Sequence, residues 1–110
     1  METFSGKVIG KVQGVMFRQT LMRALITRNL QGGATNHKEK SDEVTFTVTG
    51  EPCLIIELIQ DLKSGKELNS WGAKVECLEE LENITPVSNH EVTTDNVDQI
   101  KWSQGVEFYL

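Results

Sequence analysis

An α+β sandwich, with two helices on one face of a mainly antiparallel sheet, is predicted by three observations along this 110-residue chain. Two segments carry apolar residues at three- and four-residue spacing. Other segments alternate apolar with polar residues, and glycine- or proline-bearing turns punctuate the boundaries between them.

The first strand is read from Phe4 to Val12, where Val8 and Val12 share one side of a two-residue period and Lys7 and Lys11 the other. From Phe17 to about Asn29, Phe17, Leu21, Ala24 and Leu25 form one stripe while Arg18, Arg23 and Arg28 take other faces, which predicts an amphipathic helix. Asn29 or Gly32 supplies the left-handed residue that stops it. Gly32 to Asn36 is a weak strand by propensity. Glu43 to Thr49 is a clear one, with Val44, Phe46 and Val48 on one face and Thr45, Thr47 and Thr49 on the other. The charged run His37 to Asp42 joins them as a hairpin connection longer than two residues. Gly50-Glu51-Pro52 opens a second helix, whose stripe is Ile55, Leu58, Ile59 and Leu62 and whose stop is Gly65. Ala73 to Leu81 reads as a strand with Val75, Cys77 and Leu81 on one face. Residues 83–104 carry little periodicity and read as a long surface connection, after which Val106 to Leu110 regains strand character. The order is that of a ferredoxin-like βαββαβ sandwich plus a short terminal strand, in a single domain over residues 1–110.

Composition narrows the function. At 38% hydrophobic and 25% charged the chain is of ordinary globular make-up, and no apolar run approaches the length needed to cross a membrane. Its N-terminus lacks the layout of a secretory signal, which predicts a cytoplasmic location. The net charge of −5 disfavours a surface for nucleic acid, although one local pocket on an acidic protein can still be positive. Cys53 and Cys77 stand apart and read as small core residues. With those two cysteines, two histidines and scattered carboxylates, no metal-ligand spacing is present, and neither a metal nor a cofactor is expected. His37 reads as an exposed hairpin residue, and His90 lies in the polar connection without a motif partner.

The chemistry concentrates in Gly10-Lys11-Val12-Gln13-Gly14-Val15-Met16-Phe17-Arg18. This run joins a strand to a helix through a glycine-bearing turn and delivers an arginine into the first helical turn. Converging backbone N–H groups, the positive end of the helix and a guanidinium together suit a dianionic phosphoryl group. Glycine at 10 and 14 permits both a tight bend and close approach of an anion to the backbone.

Val12-Gln13-Gly14-Val15-x-Phe17-Arg18, followed by Gly32-Gly33-Ala34-Thr35-Asn36, resembles the acylphosphatase family. The resemblance implies the same ferredoxin-like fold and hydrolysis of acyl phosphates to carboxylate and inorganic phosphate. It also implies that the N–H groups of Gln13, Gly14, Val15, Met16, Phe17 and Arg18 face the phosphate, that the Arg18 fork grips it, and that Asn36 orients the attacking water. The implied partner is a small-molecule acyl phosphate, with no nucleic acid and no membrane. The chain departs from the family pattern at Gly33, where that pattern carries an aromatic residue, and at Thr35, where it carries a basic one; the hairpin turn and the region after Glu82 are also longer. The alternative is a non-catalytic module of this type that binds an anion or a protein. A ferredoxin-like RNA-binding domain is disfavoured by the acidic balance and by the absence of an aromatic-rich central-strand motif for base stacking.

Overall fold

The computed structural model describes residues 1–110 and places strand β1 (Glu2–Lys11) inside a sheet of five strands. The other elements are helix α1 (Phe17–Thr27), β2 (Gln31–Asn36), β3 (Glu43–Gly50), helix α2 (Pro52–Lys63), β4 (Lys74–Glu80) and a two-residue β5 (Val92–Thr93). Across the sheet the order is β4-β1-β3-β2-β5, with every neighbouring pair antiparallel. This is the ferredoxin-like α+β architecture.

The helical and alternating periods put the expected side chains in the core. Val8, Val44, Phe46 and Val48 of the sheet are buried with Phe17, Leu21, Ala24 and Leu25 of α1 and Ile55, Leu58 and Leu62 of α2, while Ile59 packs at its margin. Asn29 is the left-handed residue after α1, at φ 58°. No helix is long and apolar enough to cross a membrane.

Some local expectations hold and others change. The strand read weakly from Gly32 to Asn36 is present as Gln31–Asn36, because it pairs with β3 along its whole length, from Gln31 opposite Thr49 to Asn36 opposite Val44. Ladder hydrogen bonds and burial of its neighbours override the low propensity of glycine.

In β4, the face assignment of Cys77 is reversed. Ile9 pairs with Cys77 but Gly10 with Val75, so Glu76 is an extra residue in a β-bulge. A bulge of one residue exchanges the two faces beyond it. Val75 is therefore buried, Cys77 is exposed, and Leu78 takes the inward place opposite Val8. Cys53, also expected in the core, is exposed at the start of α2.

Residues 83–104 are no mere surface connection. They contain β5, two short 3₁₀ turns at Val87–Asn89 and Val97–Gln99, and the buried residues His90, Val92, Thr93 and Val97. The segment crosses the sheet face turned away from the helices, which explains why Thr47 on the polar side of β3 is as inaccessible as the valines beside it. Gly33 is the residue that admits this cover: a Cβ there would stand 2.7 Å from His90 Cβ. The space above Gly33 is thus filled by an imidazole brought from far along the chain.

The terminal segment, finally, pairs through a single bridge between Phe108 and Asn69, outside the main sheet.

Candidate active site

The turn from Val12 to Met16 connects the end of β1 to α1, and its backbone is bent by two left-handed residues, Gly14 at φ 73° and Met16 at φ 62°. Glycine adopts that conformation freely, whereas for Met16 it costs on the order of 1–3 kcal/mol and must be held by its surroundings. Three side chains supply the hold. The amide nitrogen of Gln13 lies 3.1, 3.0 and 2.8 Å from the carbonyls of His37, Lys40 and Glu43, bracing the turn against the β2–β3 hairpin. Asn69, fully buried, donates through Nδ2 to the Val15 carbonyl at 2.8 Å. Thr20 donates its hydroxyl to the Met16 carbonyl at 2.8 Å and its backbone N–H to the same oxygen at 3.0 Å.

The carbonyls of Val15 and Met16 are thereby occupied, while the N–H groups of Gln13 to Arg18 donate no hydrogen bond within the chain. The last two are among the unpaired donors that every helix N-terminus carries. Six such donors on one left-handed bend give a site of positive potential on an acidic protein.

Arg18 and Asn36 line the same cavity as this turn, a space of about 210 Å³ that also involves Val12, Gly14, Met16, Phe17, Trp71, Trp102 and Ser103. The two groups are tied through one atom that the motif reading missed. Glu91 Oε1 accepts from Arg18 Nη1 at 3.3 Å and from the backbone N–H of Asn36 at 3.0 Å. Arg18 spends one nitrogen on this pair, so the rest of its fork is unengaged. Asn36 Oδ1 is buried and has no hydrogen-bond partner, an acceptor left unpaired beside the cavity. Larger apolar grooves lie elsewhere, such as that between β1 and α2, but they contain none of these groups.

Glu91 is positioned by its neighbours. Its N–H donates to Thr35 Oγ1 at 3.0 Å, and that hydroxyl meets His90 Nδ1 at 2.9 Å. On the other side His90 Nε2 meets Thr47 Oγ1 at 2.8 Å. Because Thr47 donates its only hydroxyl proton to the Thr85 carbonyl, it must accept from His90, which puts a proton on Nε2 and, in the neutral imidazole, leaves Nδ1 as the acceptor. Thr35 then donates to Nδ1. Burial lowers the His90 pKa from the ordinary value of 6.5, in keeping with this neutral form. Thr35, the second departure from the family pattern, is thus the link between the imidazole and the Glu91 backbone.

His37 is half-buried rather than exposed, and its Nδ1 accepts from the N–H groups of Glu39 and Lys40, which caps the hairpin turn. No three His, Cys, Asp or Glu side chains come together as a metal-ligand set.

Comparison with known proteins places these features in a family context. A family model described as Acylphosphatase matches residues 4–97. Among solved structures the chain is similar to an acylphosphatase from Coxiella burnetii at 27% identity, over 80% of this chain and 87% of that one, with a TM-score of 0.60. It shares the fold of an acylphosphatase from Bacillus subtilis at 22% identity, over 84% and 94% of the two chains, with a TM-score of 0.59. It is also similar to HypF from T. kodakarensis, at 28% identity and a TM-score of 0.59, over 78% of this chain but only 10% of that much longer one. No curated protein matches it significantly.

Proposed function

The chain belongs to the acylphosphatase family, and from that premise we propose that it hydrolyses the carboxyl-phosphate bond of acyl phosphates by direct attack of a water held by Asn36. The N–H groups of Gln13 to Arg18 and the free part of the Arg18 fork bind the phosphoryl oxygens. A planar fork gives paired, charge-assisted bonds that a lysine cannot reproduce. As the transition state forms, the same donors stabilise the charge spread over those oxygens.

The water oxygen forms a new bond to phosphorus while the bond from phosphorus to the acyl oxygen breaks, its electron pair leaving with the carboxylate. The water proton finishes on the phosphate. Because a carboxylate is a good leaving group, no strong base is required: an acceptor that takes one water proton in a hydrogen bond, as the amide oxygen of Asn36 can, is enough. The reading requires neither a metal nor a covalent intermediate.

One observation carries it. Arg18, with free donors, and Asn36, with an unpartnered acceptor, line one cavity together with Gly14, Met16 and Phe17 of the turn, whose N–H groups donate to nothing within the chain. The test is release of phosphate from benzoyl phosphate after exhaustive chelation. Turnover by the native chain with a loss of about a thousandfold in Arg18→Ala, and partial recovery in Arg18→Lys, is the expected outcome. Phosphate binding without turnover would leave a non-catalytic anion-binding module instead.

A further inference from the structure

Both tryptophans of the chain, Trp71 and Trp102, line the cavity that contains Arg18 and Asn36. An indole has one polar atom, its N–H donor, and in each case it is already used. Trp102 Nε1 donates to the Val97 carbonyl at 2.8 Å and Trp71 Nε1 to the Gly105 carbonyl at 3.4 Å. What the two rings still offer is carbon surface. The lining therefore combines two chemistries, the N–H groups and guanidinium of the turn and the apolar carbon surface of the two indoles.

The aromatic wall is built in place. Trp102 packs against the hydrophobic core, and the chain beyond it is fastened by hydrogen bonds from Ser70 N to the Glu107 carbonyl at 2.9 Å and from Tyr109 N to the Leu68 carbonyl at 2.8 Å. Trp102 and Ser103 also lie past residue 97, where the family match ends, so this wall comes from a part of the chain outside that match.

Resting on the acyl-phosphate reading above, we propose that Trp71 and Trp102 form the acyl subsite and select acyl phosphates whose acyl group is aromatic or branched and apolar. An apolar cavity of about 150 Å³ accepts a benzene ring, so about 210 Å³ suits a group of single-ring size beside the phosphoryl group. A ring against the indoles removes apolar surface from water and gains aromatic contact. An acyl group with its own carboxylate would be desolvated there without a partner, and a methyl group leaves the rings uncovered.

The experiment measures kcat/KM for benzoyl phosphate and acetyl phosphate in the native protein, Trp71→Ala and Trp102→Ala. Each variant is expected to lower the benzoyl-to-acetyl ratio roughly tenfold, the loss falling mainly on benzoyl phosphate. An unchanged ratio in both would overturn the subsite. Because Trp102 also packs on the core, the half-exposed Trp71 gives the variant that stays folded, checked by circular dichroism. Binding of benzylphosphonate and methylphosphonate, read from tryptophan emission, separates this inference from the hydrolysis itself. Tighter binding of benzylphosphonate, lost in Trp71→Ala, supports the subsite even if neither acyl phosphate turns over, in which case only the catalytic reading fails. Equal affinities overturn the subsite whatever the turnover.

Discussion

Residues 12–18 and residues 83–104 reach the same cavity by different means. The first is a continuous run in which strand end, left-handed bend, helix start and arginine follow one another, so the donors it offers are mostly backbone and their order along the chain is their order in space. The second doubles back across the sheet and contributes through isolated side chains: Glu91 to Arg18 and Asn36, His90 to Thr35 and Thr47, and Trp102 to the cavity wall. Arg23 of α1, paired with Asp98, helps to hold this cover from the helical side. A site can thus have a legible half, made by local geometry, and an illegible half, made by long-range packing.

The largest effect that sharpens this contrast belongs to Asn36, which lies where the halves meet. Asn36→Ala is expected to lower kcat on benzoyl phosphate about a hundredfold and to change KM by no more than about twofold, because the lost contact is to the attacking water. His37→Ala retains most activity, since its ring nitrogen only caps a turn. Native turnover by Asn36→Ala together with an inactive His37→Ala would move the water-holding role to the histidine.

Glu91→Ala breaks the tie between the halves without touching the turn. An exposed ion pair is worth little, so a loss of about three- to fivefold in kcat/KM is expected; Glu91→Gln, which keeps an acceptor oxygen for both donors, should restore most of it. Native kinetics in Glu91→Ala would show that Arg18 is held by the turn alone.

Gly33→Ala tests the seat of the cover. Alanine in place of a strand glycine ordinarily stabilises, but here the new Cβ would meet His90 Cβ at 2.7 Å. A loss of about 1–3 kcal/mol in urea unfolding is expected, and a gain would contradict the close packing of cover on sheet.

The smallest effect is in pH. His90 is neutral in the folded protein and its pKa is lowered by burial, so below 6.5 the unfolded chain binds more protons than the folded one. Stability is then full above that pH and declines as pH falls through the folded-state value. Urea midpoints measured between pH 8 and pH 5 check the direction, and His90→Gln should flatten the profile.

Much of the fold was legible because periodicity is a local property. The stripes of α1 and α2 and the alternation of β3 can be satisfied by only one packing each, and the helices and strands formed where those patterns ended. The turn from Val12 to Met16 was legible for the same reason: its donors belong to consecutive residues. By contrast, nothing local marks Glu76 as a bulge, since the extra residue is defined by what lies opposite it on β1. The aperiodic run 83–104 gave no sign of being a cover because its buried residues satisfy contacts with separate strands, not one face of one element. Sequence alone therefore determined the two helices, the four main strands and the turn, and singled out Arg18 and Asn36 as candidates. Only the tertiary structure decided that Glu91 stands between those two residues, that an imidazole fills the space above Gly33, and that both indoles line the cavity, because each depends on bringing together residues that the chain keeps far apart.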